Sequence, residues 1–324
     1  MAWGSVQAEE YNVGIQRATT EVAGVEIPVR IFYPTREDAI ETKFGPWEFF
    51  AARNALPMQG TFPLVAISHG LGGNDWNHHL LASTLVKAGF IVVAVRHPDD
   101  FLRIGQPAIT VLRPNELAAA IDAVLEDERF GSNIDVERIG AFGFSLGGFT
   151  VLAAAGGNIN YPKITPHCYV PENDPEFCVG EDGGEPLPMW LRARRMLYSM
   201  PEVDLTQDVF DPRIKAVVAA APVGLLFDEM SRVQVPVMLF RAGEDQSLRF
   251  PYHAENVHNL LPNEHIYHVV EGLHHYAFLS PFPDRIAGEV GEPAQDPDGF
   301  DRAVFLAGTN QIIVEFFKRA LIRN

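Results

Sequence analysis

The sequence predicts an α/β protein: a mostly parallel sheet with helices on both faces, formed by a single domain spanning residues 1–324. Three observations carry this reading. Continuous apolar runs at 64–68, 90–95, 214–221 and 235–240 lack the in-and-out alternation of a half-exposed sheet, so both faces of those strands must be covered. Segments with apolar residues at helical spacing fall between them, the pattern of parallel strands joined by crossover helices. At the centre, an apolar run ending at Phe142 passes through Gly143-Phe144-Ser145-Leu146-Gly147-Gly148 into the helix-like Phe149-Thr150-Val151-Leu152-Ala153-Ala154-Ala155.

Residues 25–33 alternate and are expected to form an edge strand, the position where Pro28 is tolerated, within an N-terminal antiparallel hairpin. An irregular stretch with Phe44, Trp47, Phe49 and Phe50 follows. Then come a strand at 64–68, a helix at 75–88, a strand at 90–95 and a helix at 115–126. Beyond the glycine–serine junction, strands are expected at 214–221, 235–240 and 265–270, with a helix at 252–261. A closing helix over 300–321 sets Phe305, Ile312, Ile313, Phe316 and Ala320 at helical spacing.

One segment breaks the alternation. Residues 157–211 hold both cysteines, many prolines and only a short helical stretch at 188–200. They contain too few apolar residues for a core of their own, so they are expected to be a lid or substrate-shaping insertion within the domain. Cys168 and Cys178 lie ten apart in loop-like sequence, where a crosslink restrains the chain most, and a disulfide is expected. That fits a periplasmic or secreted protein. Val6-Gln7-Ala8 has the small-residue spacing of a signal-peptidase site, although no basic and apolar regions precede it. A cytoplasmic chain with two free thiols is the alternative.

Composition sets further bounds. With 47% hydrophobic and 21% charged residues over 324 positions, the chain has the make-up of a globular enzyme. A formal charge of −17 argues against nucleic acid, because phosphate binding needs clustered Lys and Arg. The basic run Arg192-Ala193-Arg194-Arg195 reads as a solvated helix face. The longest apolar run, 216–227, is broken by Pro222 and falls short of the roughly 18 residues that span a bilayer, so no transmembrane segment is expected. Composition leaves the oligomeric state open.

The glycine–serine junction forces a sharp reversal between strand and helix. Close-set glycines accommodate it, and the turn lifts the Ser145 hydroxyl clear of the sheet at a helix N-terminus. A serine hydroxyl needs a base within hydrogen-bond reach and a third group to orient that base. On a sheet of this kind the acid and then the histidine follow the serine in the chain, each after a strand. The run at 235–240 leads into Arg241-Ala242-Gly243-Glu244-Asp245, so Asp245 is the expected acid with Glu244 as the alternative. The run ending near Val270 leads to His274 and His275, one of which supplies the imidazole. For the oxyanion, the expected donors are the N–H of Leu146 and, from Ser68-His69-Gly70-Leu71-Gly72-Gly73, the N–H of Leu71. The glycines of that loop do not match a phosphate-binding loop. His265 and His268, His253 and His258, and the adjacent His78 and His79 are poorly spaced as ligand pairs, so neither a catalytic metal nor another cofactor is expected.

Taken together, Ser68-His69-Gly70-Leu71-Gly72, Gly143-Phe144-Ser145-Leu146-Gly147-Gly148, Glu244-Asp245 and His275-Tyr276-Ala277-Phe278-Leu279 resemble the α/β-hydrolase superfamily. Within it the chain is similar to predicted dienelactone hydrolases related to platelet-activating-factor acetylhydrolases. The resemblance runs from Tyr11-Asn12-Val13-Gly14 to the closing helix. It implies an α/β-hydrolase fold and selects His275 over His274, through a Gly-His-aromatic-x-Phe-Leu segment that His275, Tyr276, Phe278 and Leu279 match. Two departures qualify it. Dienelactone hydrolases use a cysteine nucleophile where this chain has Ser145. The eukaryotic acetylhydrolases take their acid just after the strand that follows the elbow, where this chain has Ala219-Ala220-Ala221-Pro222, so the acid falls to Asp245.

The expected activity is hydrolysis of a small carboxylic ester through an acyl-enzyme with a Ser145–His275–Asp245 triad. Phe144, Trp47 and Trp190, together with Phe44 and Phe49, are candidates to line the substrate pocket. Acyl transfer, thioester or amide cleavage uses the same constellation, and a non-catalytic binding protein on the same fold is the remaining alternative.

Overall fold

The computed structural model describes residues 11–98, 107–179 and 203–322. Its strands are β1 (Asn12–Val22), β2 (Val25–Thr35), β3 (Ile40–Phe44), β4 (Trp47–Arg53), β5 (Phe62–Ser68), β6 (Ile91–Val95), β7 (Ile134–Phe144), β8 (Asn158–Ile159), β9 (Ile214–Ala220), β10 (Phe227–Glu229), β11 (Val237–Ala242) and β12 (Ile266–Val270). The helices are α1 (His79–Lys87), α2 (Ile109–Glu126), α3 (Leu146–Ala154), α4 (Ile164–His167), α5 (Pro175–Val179), α6 (Ala254–Leu260), α7 (Asp284–Val290) and α8 (Arg302–Leu321).

Ten strands join in the order β12-β11-β9-β7-β5-β6-β2-β1-β4-β3. From β12 to β6 every pairing is parallel, and the antiparallel β1–β2 hairpin continues the sheet beyond β6. The continuous apolar strands divide their side chains by parity, as a sheet covered on both faces requires. Leu64 and Ala66 of β5, Ile91 and Val93 of β6, and Val237 and Leu239 of β11 enter one core with Leu117, Ile121, Phe149 and Leu152 of α2 and α3. The residues between them, Val65, Ile67, Val92, Ala94, Met238 and Phe240, enter a second core with Leu81 and Leu85 of α1 and Ile313 and Phe317 of α8. Each such buried Val, Leu, Ile or Phe contributes roughly 1.5–3 kcal/mol, so the two cores fix the sheet that carries the site.

Three local expectations need correction. The strand at 25–33 is interior, lying between β1 and β6. Its pairing with β6 begins at Val29, and the Pro28 carbonyl accepts from Arg96 N at 2.9 Å. Pro28 therefore faces β6 at the end of that ladder, where its carbonyl is bonded and only the return N–H bond to Arg96 is missing. The stretch around Phe44 and Phe49 is the β3–β4 hairpin, whose inward Thr42, Phe44, Phe49 and Ala51 are buried while Phe50 faces solvent. Helix α2 starts at Ile109 and runs through Pro114, so the proline does not mark its beginning.

Within the predicted insertion, the described residues 157–179 form β8, which pairs with β10, then short helical turns and a disulfide between Cys168 and Cys178. The helical stretch expected at 188–200, with Trp190 and the arginine cluster, lies outside the described residues, as do Val6, Gln7 and Ala8. Among the described residues no helix is long and apolar enough to cross a membrane.

Candidate active site

The order of the sheet reverses at β5. The chain steps from β5 to β6 on one side and then places β7 on the other. Such a reversal opens a crevice at the carboxyl ends of the strands, the usual place for a ligand on an open parallel sheet. The ends of β5, β7, β11 and β12 lead, respectively, to His69–Leu71, Ser145, Asp245 and His275.

Ser145 joins β7 to α3 with φ 55° and ψ −119°, a backbone conformation costly for a residue with a side chain. Its surroundings hold it there. The Ser145 N–H donates to Ala220 O at 2.9 Å, and its carbonyl accepts from Phe149 N at 3.2 Å and Val223 N at 3.1 Å. Close approach demands glycine on both sides. A Cβ at 143 would lie 2.0 Å from Gly147 O, and a Cβ at 147 would lie 2.0 Å from Ser68 O. The turn thus clamps α3 against the end of β5, and the hydroxyl stands at the N-terminus of α3.

The Ser145 Oγ lies 3.0 Å from His275 Nε2, and His275 Nδ1 lies 2.8 Å from Asp245 Oδ2. A carboxylate only accepts, so Nδ1 carries a proton and Nε2 of the neutral ring is free to accept from the serine. The other Asp245 oxygen accepts from Leu248 N at 2.8 Å. The loops bearing acid and imidazole are bonded to each other through Gly243 N to Val270 O at 2.8 Å and Glu244 N to Leu273 O at 2.9 Å. Glu244 and His274 point to solvent, whereas the side chains of Asp245 and His275 are each only 5% exposed.

Leu146 is the first residue of α3, so its N–H has no acceptor within the helix. The Gly70–Leu71 loop passes directly beside the serine: a Cβ at 70 would stand 3.3 Å from Ser145 Cβ. A buried polar network, unread in the sequence, holds this loop. His69 Nδ1 donates to Gly70 O at 2.6 Å while its Nε2 accepts from His97 N at 3.0 Å, so the ring is neutral, and burial drives its pKa well below the usual range. Holding the Gly70 carbonyl turns the Leu71 N–H, on the opposite side of the same peptide plane, away from His69. Arg113 also donates to the His69 carbonyl.

His97 continues the network, with Nδ1 donating to Glu116 Oε2 at 2.7 Å and Nε2 at 2.8 Å from Ser68 Oγ. Ser68–His97–Glu116 therefore repeats the connectivity of Ser145–His275–Asp245. Access separates the two lines: Ser68 and the side chains of His97 and Glu116 are 0% exposed, whereas Ser145, though largely buried, is 9% exposed. No signal at positions 69, 97 and 116 marks this network, because three separate elements bring it together.

The aromatic pocket candidates fall elsewhere. The Phe144 ring is 2% exposed and packs 4.9 Å from the His275 ring, so it backs the imidazole and offers no face to a substrate. Trp47 lies in a cluster with Trp76 and Phe282, at 6.3 Å from each, and Phe44 and Phe49 pack on the same Trp76. These rings consolidate the β3–β4 hairpin. Trp190 lies outside the described residues. Among the described residues no three His, Cys, Asp or Glu side chains gather as a metal site would require. No family model matches the chain, and no curated protein does.

Proposed function

We propose that the protein is a serine-dependent carboxylic-ester hydrolase of the α/β-hydrolase class, similar to the dienelactone-hydrolase and acetylhydrolase relatives named above. The observation that carries this reading is the hydrogen-bonded line from Ser145 Oγ through His275 to Asp245, set at a strained strand-to-helix turn. His275 Nε2 takes the proton as Ser145 Oγ attacks the ester carbonyl. The Leu146 and Leu71 N–H groups receive the developing oxyanion, and Asp245 keeps the imidazole in the tautomer that accepts. The proton passes to the departing alcohol, and water activated by the same imidazole then releases the acid.

The same acyl-enzyme serves transfer to an alcohol and cleavage of a thioester or amide, and Ser145, His275 and Asp245 alone do not choose among them. The disulfide suits an oxidising compartment, so we place the protein in the periplasm or outside the cell. The partner is a small neutral or cationic ester, since a chain of charge −17 does not favour polyanions.

A panel of nitrophenyl esters of increasing acyl length tests the reading, with the released acid quantified against acyl transfer to added alcohols. Ester turnover that vanishes in Ser145→Ala supports it. Turnover that survives this substitution overturns it.

A further inference from the structure

The disulfide-closed segment carries a carboxylate that the triad does not use. Asp174 lies between Cys168 and Cys178, is completely buried, and is saturated with donors. Its Oδ2 accepts from His253 Nε2 at 2.7 Å and from His167 Nε2 at 3.0 Å, and its Oδ1 accepts from Arg249 N at 3.3 Å. His253 Nδ1 in turn accepts from Gly224 N at 3.4 Å, so His253 is neutral with its proton directed at Asp174. Burial alone would raise the Asp174 carboxyl. The hydrogen bonds from His253, His167 and the Arg249 N–H outweigh it and hold Asp174 below the usual carboxylate range.

Two of the donors to Asp174 belong to the loop that leaves Asp245. The orientation of Asp245 is set by the bond from Leu248 N to its Oδ1, and the very next N–H, that of Arg249, is the one Asp174 holds. His253 closes the same loop four residues later. The near end is fixed independently, by the bonds of Gly243 and Glu244 to the loop that supplies His275. The acid loop is therefore pinned at one end by the histidine loop and at the other by a residue of the disulfide-closed segment.

We infer that Asp174 is a positioning residue for the Asp245 carboxylate, held in register by the Cys168–Cys178 bond. Its effect on turnover rests on the proposed triad; the clamp itself does not. Opening the crosslink with a dithiol yields two protein thiols and the cyclic disulfide of the reagent. It also returns conformational freedom to the ten-residue segment that presents Asp174. The acid loop then loses its far anchor, and Asp245 samples orientations that no longer meet His275 Nδ1.

Asp174→Asn is the discriminating variant. Its amide oxygen still serves the two imidazoles, but its NH₂ group faces the Arg249 N–H, donor against donor. The experiment measures amide hydrogen exchange over residues 245–253, together with kcat and KM for nitrophenyl acetate, in oxidised and dithiol-reduced protein. Reduced wild type and oxidised D174N are both expected to exchange about tenfold faster at Leu248 and Arg249 and to lose about tenfold in kcat with little change in KM. Reduction should add almost nothing to D174N. Unchanged exchange in D174N, or a D174N as sensitive to reduction as wild type, overturns the inference. Should D174N not fold, the Cys168→Ser/Cys178→Ser double variant carries the same expected exchange and kcat, and an unaltered acid loop in it overturns the inference equally. If oxidised wild type cleaves no ester while exchange still responds to reduction and to D174N, the clamp is supported and the ester reading fails.

Discussion

Replacing Gly147 by alanine places a methyl group 2.0 Å from Ser68 O, 2.6 Å from its carbonyl carbon and 2.7 Å from His69 O. Ordinary contact begins near 3.4 Å, so the end of β5 and the start of α3 must part by more than an ångström. Both partners are backbone, so no side-chain rotation relieves the clash. The movement separates the two elements that frame the proposed oxyanion site, because Ser145 and Leu146 lead α3 while His69, Gly70 and Leu71 follow β5. Misplacement by about 1 Å costs on the order of 10²-fold, and loss of one oxyanion donor costs about 10²–10³-fold, so kcat should fall within that range. KM should change little, since the ester ground state does not need these donors. Overpacking should cost about 1–3 kcal/mol of stability, read from the urea midpoint. Gly308→Ala is the control: its added methyl meets open space on α8, and it should stabilise by roughly 0.5–1 kcal/mol with kcat unchanged. A folded Gly147→Ala with wild-type kcat would refute the claim that the elbow glycine sets the oxyanion geometry.

Other consequences are testable in the same assays. Asp245→Asn should lower kcat by about 10³–10⁴-fold while Glu244→Gln leaves it intact, and equal effects would deny Asp245 its role. His69→Asn keeps an N–H where Nδ1 donates to Gly70 O and should retain most of kcat, whereas His69→Phe should lose about 10–10²-fold; equal loss in both would show that the donor is irrelevant. Burial holds His78 down to about 3 and His79 down to about 4, against 6.5 for an ordinary imidazole. From pH 6.5 downward the unfolded chain binds protons that the folded one refuses, so stability is full above 6.5 and is lost as pH falls toward 4 and 3. The slope approaches about 1.4 kcal/mol per pH unit for each histidine, and urea midpoints that stay constant from about pH 7 to pH 5 would contradict it.

The parallel strands are readable in the sequence because burial on both faces leaves an uninterrupted apolar run, as in Leu64-Val65-Ala66-Ile67. The β3–β4 hairpin is less so: its alternation of Thr42, Phe44, Phe49 and Ala51 inward is crossed by the outward Phe50, which makes the stretch look uniformly aromatic. Places after apolar runs narrow the acid to Asp245 or Glu244 and the imidazole to His274 or His275, since strand ends on one edge of a parallel sheet converge on one crevice, and the choice of His275 rests on the resemblance. His69, His97 and Glu116 cannot, because they come from three elements and only folding brings His97 to Glu116. Asp174 is hidden for a related reason, since its partner His253 stands 79 residues away. His258 and His265 lie seven residues apart, yet Nδ1 of the first comes within 2.7 Å of Nε2 of the second only in the folded chain.

Labelling with a fluorophosphonate, followed by intact-protein and peptide mass measurement, tests the central claim most directly. The reagent requires a serine hydroxyl that is both activated and accessible; Ser68 and Ser145 are equally well bonded, and only exposure separates them, 0% against 9%. One adduct per chain, located on Ser145 and abolished by Ser145→Ala and by His275→Ala, is the expected result. An unlabelled chain, or an adduct that persists in Ser145→Ala, would contradict the account.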